Sequence, residues 1–522
     1  MQMTDYDVVV IGGGHNGLVC ATYLAKAGNK VAVLEARDTL GGCASTREFT
    51  PGFKVSDCAQ WLHQLAPQII KDLQLEQHGL AYSARNLPTV ALDQDGSHLT
   101  LTGDVVNGPG ISSSDQAAYK TFHQKMLKYA TLLRKAYQRR PPKLIDSNWT
   151  DRLTLVKLGL GMKFMGRDDM SDFMRIILIN IYDLMKESFD NPLLQGAVSV
   201  DAVLGTTMGP RSPNTVFTYL HRLVGATYGY EGVSQVAGGM GMIGQALASS
   251  AQNQGVDIRT AAKVASINLK GSCVAGVTLE NGECVTTPLV ISNADPVTTF
   301  TNLLGLQNME TGMARRVSQI RNNSGTAKLH LALNGLPQFT RLTDEQLGHR
   351  LIIAPDMNYI ERAFNPIKYQ ECCSAPVLDI SISSVNDPTL TSPGKHVLSA
   401  LVQYAPYSPI GGWHQHKQAF TDVVIDRISQ YAPGLRTQIV ASELCTPADL
   451  EQNYGMTGGQ WHHGELAMDQ VLMMRPFPGC SQYASAVDGL YLCGAGAHPG
   501  GGVMGLAGSN AAAEVIKRGK KA

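Results

Sequence analysis

Residues 6–11 are apolar and β-branched, residues 12–17 form a glycine-rich break, and residues 18–28 return to apolar positions at helical spacing. A second apolar run at 30–34 ends on Glu35. The pattern predicts strand, tight turn, helix and strand within the first 42 residues, a βαβ unit. Residues 78–105 predict a hairpin, with one run at 89–92, a turn at Asp95-Gly96 and a partner at 98–101. From 113 to about 224 the period is helical. One long helix is predicted from 115 to 137 and another from 172 to 187, where Phe173, Ile176, Ile177, Ile179 and Leu184 recur at roughly helical spacing.

Residues 230–295 return to the mixed style. Gly238-Gly239-Met240-Gly241 opens a helix to about 254, strands follow at 257–259, 263–267 and 274–279, Asn281-Gly282 turns a hairpin, and 289–292 reads as a buried strand. Residues 300–475 mix strands at 328–333, 377–383 and 396–403 with a helix at 420–431. At the end a strand at 489–494 runs into glycines and then a helix at 504–517. The opening style thus recurs in three separated segments, 1–105, 230–299 and 476–522. They are expected to build one Rossmann-like nucleotide-binding domain of the α/β class. Residues 106–229 form a helical insertion and 300–475 a mixed α+β unit, together the substrate domain.

A chain of 522 residues exceeds one simple core, which agrees with more than one unit. Formal net charge is zero, so no electrostatic argument points to nucleic acid or to a highly charged partner. The ten cysteines have no C-x-x-C pair and no zinc-site spacing, so neither a metal nor a disulfide framework is expected. The vicinal Cys372-Cys373 reads as a buried or incidental pair. A first strand at residue 6 leaves no room for a leader in front of it, and no apolar run reaches the ~18 residues that span a bilayer. The expectation is a cytoplasmic protein that is not integral to a membrane.

The first break carries chemistry. Gly12 turns the chain off the strand, Gly14 lets backbone approach a pyrophosphate, and Gly17 lets the helix pack close to the strand. With Gly13, His15 and Asn16 they surround a helix N-terminus whose free N–H groups suit phosphate oxygens. Glu35 lies 18 residues past Gly17, where a carboxylate binds both ribose hydroxyls of an adenosine and repels a 2′-phosphate. Ala36 and Arg37 continue from it. A second pair, Gly41-Gly42, is not needed in a plain NAD-binding unit. The run from Gly494 and Ala495 through Gly502, Val503 and Met504 again sets glycines between a strand and a helix. Gly239-Met240-Gly241-Met242-Ile243-Gly244 also matches G-x-G-x-x-G. No strand is legible before it and no acidic strand end after it, so it is read as a turn and helix start near the cofactor. Without a second nucleotide site, NAD(P)H is not expected as a bound reductant.

With both ends in view the chain resembles the phytoene desaturase (carotenoid desaturase)-like FAD-dependent oxidoreductases within the wider monoamine oxidase-like flavoprotein group. It resembles most the phytoene dehydrogenase-related branch, also called pyridine nucleotide-disulfide oxidoreductase domain-containing protein 2. The resemblance spans nearly the whole chain and includes Gly205 with Gly209-Pro210, Ser292-Asn293-Ala294-Asp295-Pro296, Thr446-Pro447-Ala448-Asp449-Leu450, Gly458-Gly459, His463-Gly464 and Arg475-Pro476. It implies a monoamine oxidase-like fold and non-covalent FAD. Gly41 and Gly42 would belong to the adenine half of the site, the Val264 backbone would face the adenine, and Met504 would lie near the flavin pyrimidine. At Cys43 the family usually places Arg, so that contact departs from the pattern.

Hydride transfer to flavin N5 needs position and a dry pocket more than a protein base. His463 and His462 are the candidates for a polar catalytic role. Tyr454, Trp461 and Arg475 are candidates for the pocket wall, and His498 for a cap on the last glycine turn. The resemblance implies desaturation of a hydrophobic, polyene or isoprenoid-like substrate, with O2 or a quinone taking the electrons. An amine- or alcohol-type oxidase and a catalytically silent FAD-binding scaffold stay open as alternatives. Residues 153–164 mix apolar residues with Lys157 and Lys163. Base rates favour a helix packed inward or at a protein interface, and peripheral membrane contact is the alternative.

Overall fold

The computed structural model describes residues 5–143 and 147–519. Its first sheet is five-stranded and parallel throughout. β1 (Val8–Ile11) lies at the centre, flanked by β2 (Val31–Leu34) and by Val290–Ser292. Asp257–Arg259 pairs with β2, and Leu490–Leu492 pairs with Val290–Ser292. The three middle strands and Leu490–Leu492 are buried throughout. Burial on both faces is why they read as unbroken apolar runs.

Helix α1 (His15–Lys26) follows β1 through the glycine turn. Gly12 sits at φ +94°, and a Cβ on Gly17 would stand 2.2 Å from the Gly12 carbonyl oxygen, so only glycine lets the helix lie this close. The last helix, Leu506–Gly519, packs on α1 in the same way, since a Cβ on Gly508 would stand 2.1 Å from the Asn16 carbonyl oxygen. After β2 comes a short antiparallel ribbon of β3 (Thr46–Thr50) and β4 (Phe53–Ser56).

The second sheet has eight strands, in the order 439–445, 326–333, 396–403, 377–381, 350–353, 89–91, 99–102 and 105–107. Strand Thr326–Leu333 alternates with period two. Ala327, Leu329, Leu331 and Leu333 enter an apolar core shared with Phe420, Val424 and Ile428 of the helix Trp413–Ser429. Lys328 and His330 point the other way and are also buried.

Several expectations change. The hairpin at 89–102 forms, but Thr89–Ala91 pairs in parallel with Arg350–Ile353. The strands at 89–107 therefore share the sheet of 326–445, and the boundary at 105 does not follow the sheets. The helix expected at 172–187 is two helices, Arg167–Ile176 and Ile181–Ser188, because the Asn180 side chain accepts the Asp183 N–H at 2.8 Å and starts a new helix.

A strand, Val233–Val236, does precede the second G-x-G-x-x-G, but it pairs with Tyr82–Leu87 outside the parallel sheet. The turn's donors are already used: Gly238 N–H on Asp387 (2.6 Å), Met240 N–H on Ser56 (3.1 Å) and Gly241 N–H on Thr46 (2.9 Å). That leaves no nest for a phosphate.

The helix Trp149–Lys163 packs one face inward, with Met162 against the main core, and leaves the other in solvent. Trp149, Leu153, Val156, Leu160 and the following Phe164 recur every three or four residues and are all exposed. Among the described residues no helix is long and apolar enough to cross a membrane.

Candidate functional site

The carboxyl ends of the parallel strands open onto a cavity of about 330 Å³. Ligands of open parallel sheets collect at this edge. One wall comes from the first glycine turn, Glu35 at the end of β2, and Asn293 to Asp295 after Val290–Ser292. The opposite wall comes from residues 58–64, from 454–466 and from Leu401 of the eight-stranded sheet. The cavity therefore lies between the two sheets.

Glu35 is buried and its two carboxylate oxygens accept the N–H groups of Gly13 (2.6 Å) and Arg37 (2.9 Å). The carboxylate is thereby fixed against the glycine turn, with lone pairs left for a ligand hydroxyl. The Arg37 guanidinium lies 4.7 Å from the Tyr454 ring centroid. Its Nη1 is buried without a partner, as are His15 Nε2, Asn16 Oδ1, His63 Nδ1, Thr218 Oγ1, His462 Nδ1 and His463 Nδ1. All seven residues line this cavity. Buried polar atoms are normally paired, so their concentration here marks a wall built against a polar ligand.

The cavity histidines are neutral. Burial pushes His15 down to about 4, helped by His463, and His221 also to about 4. His462 is held well below the ordinary value by burial and by its neighbours His221 and Arg475. His463 is lowered by burial, with Asp295 opposing. His221 is fixed between the Tyr137 hydroxyl (2.6 Å) and the Gly501 carbonyl (2.9 Å). The carboxylates of the lining are engaged. Asp201 pairs with Arg222 (2.9 Å) and Arg350 (2.6 Å). Burial raises its pKa, yet these guanidinium groups outweigh burial and hold it at about 2. Asp295 accepts from Thr298 N–H and the Thr457 hydroxyl, each at 2.9 Å.

Of the residues singled out from the sequence, Gly12, Gly14, His15, Asn16, Glu35, Ala36, Arg37, Gly42, Val264, His462, His463, Ala495, Gly502 and Val503 meet at this cavity. Tyr454 and Trp461 join them. Gly13, Gly17, Gly41, Gly494 and Met504 stand behind the wall. A Cβ on Gly494 would meet the Asn293 carbonyl oxygen at 2.5 Å, and the Met504 carbonyl is taken by the Ala66 N–H at 3.2 Å. The second glycine-rich helix start, expected near the cofactor, contributes no residue to the lining. His498 is buried elsewhere and bonds the Ala136 carbonyl at 3.2 Å. Arg475 does not face the cavity; it donates to the carbonyls of Ala495, Gly464 and Gln470 and so ties the 462–470 segment to the turn after the last strand.

Sequence reasoning missed Gln60, Trp61, His63, Gln64, Asp201, His221 and Arg222 in the wall. It also missed Lys328, fully buried one residue behind it. Lys328 has Gln60 Oε1 as its hydrogen-bond partner, and burial pushes its ammonium down to about 8 against the pull of Cys58 and Asp379. The alternation around Lys328 and His330 was visible, but reads as a solvent face.

Residues 17–333 match the family described as flavin containing amine oxidoreductase. The chain is 35% identical to pyridine nucleotide-disulfide oxidoreductase domain-containing protein 2 of Rattus norvegicus, over 98% of this chain and 94% of that one. It is 26% identical to a limonene dehydrogenase chain of Castellaniella defragrans, over 99% and 95%. The fold is similar to that of putrescine oxidase, with TM-score 0.60, 16% identity and 98% and 99% of the two chains covered. From the match over most of its length and from these relatives, the chain belongs to the flavin-containing amine oxidoreductase family and is a flavin-dependent oxidoreductase.

Proposed function

We propose that this chain holds FAD along the cavity and desaturates an uncharged hydrophobic substrate of polyene or isoprenoid type. FAD is the flavin form that the adenosine-type wall suits. Glu35 would hold the ribose hydroxyls, and the α1 N-terminus and Arg37 would hold the pyrophosphate. When bound, the flavin supplies the hydride acceptor.

The observation that carries the substrate reading is the state of the carboxylates. Glu35, Asp201 and Asp295 are each already held by backbone, arginine or threonine. Neither Asp201 nor Asp295 is left to receive a substrate ammonium, and the open lone pairs of Glu35 go to the ribose in this reading, whereas Leu204, Leu303, Leu401, Trp461 and Leu466 offer apolar surface. The relative named limonene dehydrogenase supports the same reading. Desaturation removes a hydride from one carbon and a proton from the next. A neutral imidazole is competent to take that proton, and His463 and His462 are two of the four neutral imidazoles in the wall with a free ring nitrogen, the others being His15 and His63.

The exposed apolar row from Trp149 to Phe164, with Arg152, Lys157 and Lys163 beside it, supports contact with a membrane surface from which such a substrate is drawn. O2 or a quinone is proposed as electron acceptor.

The test is anaerobic bleaching of the flavin absorbance by a panel of isoprenoid hydrocarbons and a panel of primary amines and alcohols. Bleaching by hydrocarbons is expected. Bleaching by amines or alcohols alone would replace this reading with the oxidase one. Reoxidation rates in O2 and in a soluble quinone then identify the acceptor.

A further inference from the structure

One buried charge beside the cavity is left without an opposite. Arg475 is 1% exposed, and its guanidinium is held by main-chain carbonyls: Ala495 (2.9 Å), Gln470 (2.9 Å), Gly464 (3.1 Å) and His462. Three other arginines with little exposure are neutralised. Arg140 meets Asp151 (2.9 Å) and Glu514 (3.0 Å), Arg222 meets Asp201 (2.9 Å), and Arg350 meets Asp201 (2.6 Å) and Asp379 (2.8 Å). Among the described residues no acid acts on Arg475. Glu465 lies nearby in the same segment, but its carboxylate turns to the Thr207 N–H (2.9 Å) and to Arg321 (3.5 Å).

The side chains around the guanidinium are neutral as well. His221, His462, His463 and His498 are pushed down by burial and, in part, by Arg475 itself, and burial keeps Tyr137 protonated. Burial pushes Arg475 down only to about 10, so it stays charged at neutral pH. Buried charges are ordinarily paired, because desolvation without a counter-charge is costly.

This charge sits one residue behind the lining. Ala495 and His462, whose carbonyls it holds, both line the cavity, as do His463 and Gly501 to Val503. A Cβ on Gly500 would stand 3.7 Å from Arg475 Nε. A full charge at this depth acts on whatever the cavity holds, and salt screens it little. With adenosine at Glu35 and pyrophosphate at the α1 N-terminus, the wall left for the flavin ring is the stretch in front of Arg475. A hydride brings two electrons and one proton, so the ring that accepts it gains one unit of negative charge. The proton left on the substrate goes to a wall imidazole.

We propose that the uncompensated guanidinium of Arg475 stabilises this negative charge from behind the wall and so raises the reduction potential of the bound flavin. Arg475 touches neither substrate nor cofactor; it acts through the field it sets at the lining. The inference rests on the reading that the cavity holds FAD, and not on which substrate is oxidised.

The test is the two-electron reduction potential of the FAD-loaded protein, measured against a reference dye during slow enzymatic reduction. In wild type it should lie above that of free FAD, by about 30 mV for each tenfold by which the protein holds reduced flavin more tightly than oxidised flavin. Arg475→Met should lower it by at least one such step, and Arg475→Lys should keep it closer to wild type. Gln470→Met is the structural control. The Gln470 side chain ties the same segment to Arg321 backbone (2.7 and 3.0 Å) and carries no charge, so its loss loosens the segment and should leave the potential unchanged. Three results would overturn the inference: a wild-type potential at or below that of free FAD, Arg475→Met with the wild-type potential, or Gln470→Met with a fall as large as that of Arg475→Met. The first needs no variant, so the inference is decided even where Arg475→Met does not fold. A wild type that takes up no FAD would strike the cofactor reading, and this inference with it.

Discussion

Lys328 donates a hydrogen bond to the side-chain oxygen of Gln60 at 2.5 Å, with both residues out of water between the eight-stranded sheet and the cavity. Burial lowers the ammonium from 10.5 to about 8. The unfolded chain therefore holds this proton more tightly than the folded one. Below pH 8 both states are protonated and the burial cost is at its full, constant value. Between pH 8 and 10.5 the cost is relieved as pH rises, by up to about 3 kcal/mol. Urea unfolding of wild type and Lys328→Met at pH 7.5 and pH 10 checks this. The stability difference should move toward the wild type at the higher pH; a difference that does not move contradicts the buried charge.

Arg37 carries a buried, unpartnered Nη1 at the cavity wall and stacks on Tyr454. A charge-assisted hydrogen bond contributes about 1.5–3 kcal/mol, so Arg37→Ala should weaken flavin retention by roughly ten- to a hundredfold. Equilibrium dialysis followed by flavin fluorescence measures it. Arg37→Lys restores charge without the fork and should recover only part of the loss.

Gly508 tests the joint between the first and last helices. Gly508→Ala places a methyl group 2.1 Å from a backbone oxygen, and overpacking of this kind costs about 1–3 kcal/mol. Gly519, in the same helix, has nothing within 4 Å. Gly519→Ala should be neutral or slightly stabilising, and thermal unfolding of the pair separates close packing from a general intolerance of the helix.

The apolar row on Trp149–Lys163 gives the membrane proposal its own test. Leu153, Val156 and Leu160 are exposed by 45%, 56% and 44%, so replacing all three with Glu should leave stability nearly unchanged. Sedimentation with vesicles of phosphatidylcholine and phosphatidylglycerol should fall several-fold in the triple variant. Equal sedimentation would move the contact elsewhere on the surface.

The parts of this molecule legible in the sequence are those whose signal is local. Gly12, Gly17 and Glu35 sit at fixed offsets along a single βαβ unit, and the unit folds as read. The strand at 89–91 was also legible, but its sheet was not, because its partner at 350–353 lies far along the chain and pairing in parallel leaves no mark in the hairpin itself. Lys328 and His330 alternate with leucines as an edge strand facing water would. Burial of their polar face depends on segment 57–64, which arrives from the other end of the chain. For the same reason Gln60, His63 and His221 went unseen: each is polar and unremarked in its own neighbourhood, and becomes part of a wall only when three distant segments meet. The exposed row from Trp149 to Phe164 was visible as apolar residues, but periodicity does not tell an inward face from an outward one.

The place of Leu490–Leu492 beside Val290–Ser292, with Leu506–Gly519 laid on α1, has a consequence for synthesis. A growing chain makes the glycine turn and Glu35 long before the residues at 495–503 that close the same cavity are translated. The cofactor pocket is thus assembled by the latest segment returning to the earliest. Until then α1 presents an uncovered face at Asn16, and the nascent protein has half a pocket with nothing to shut it.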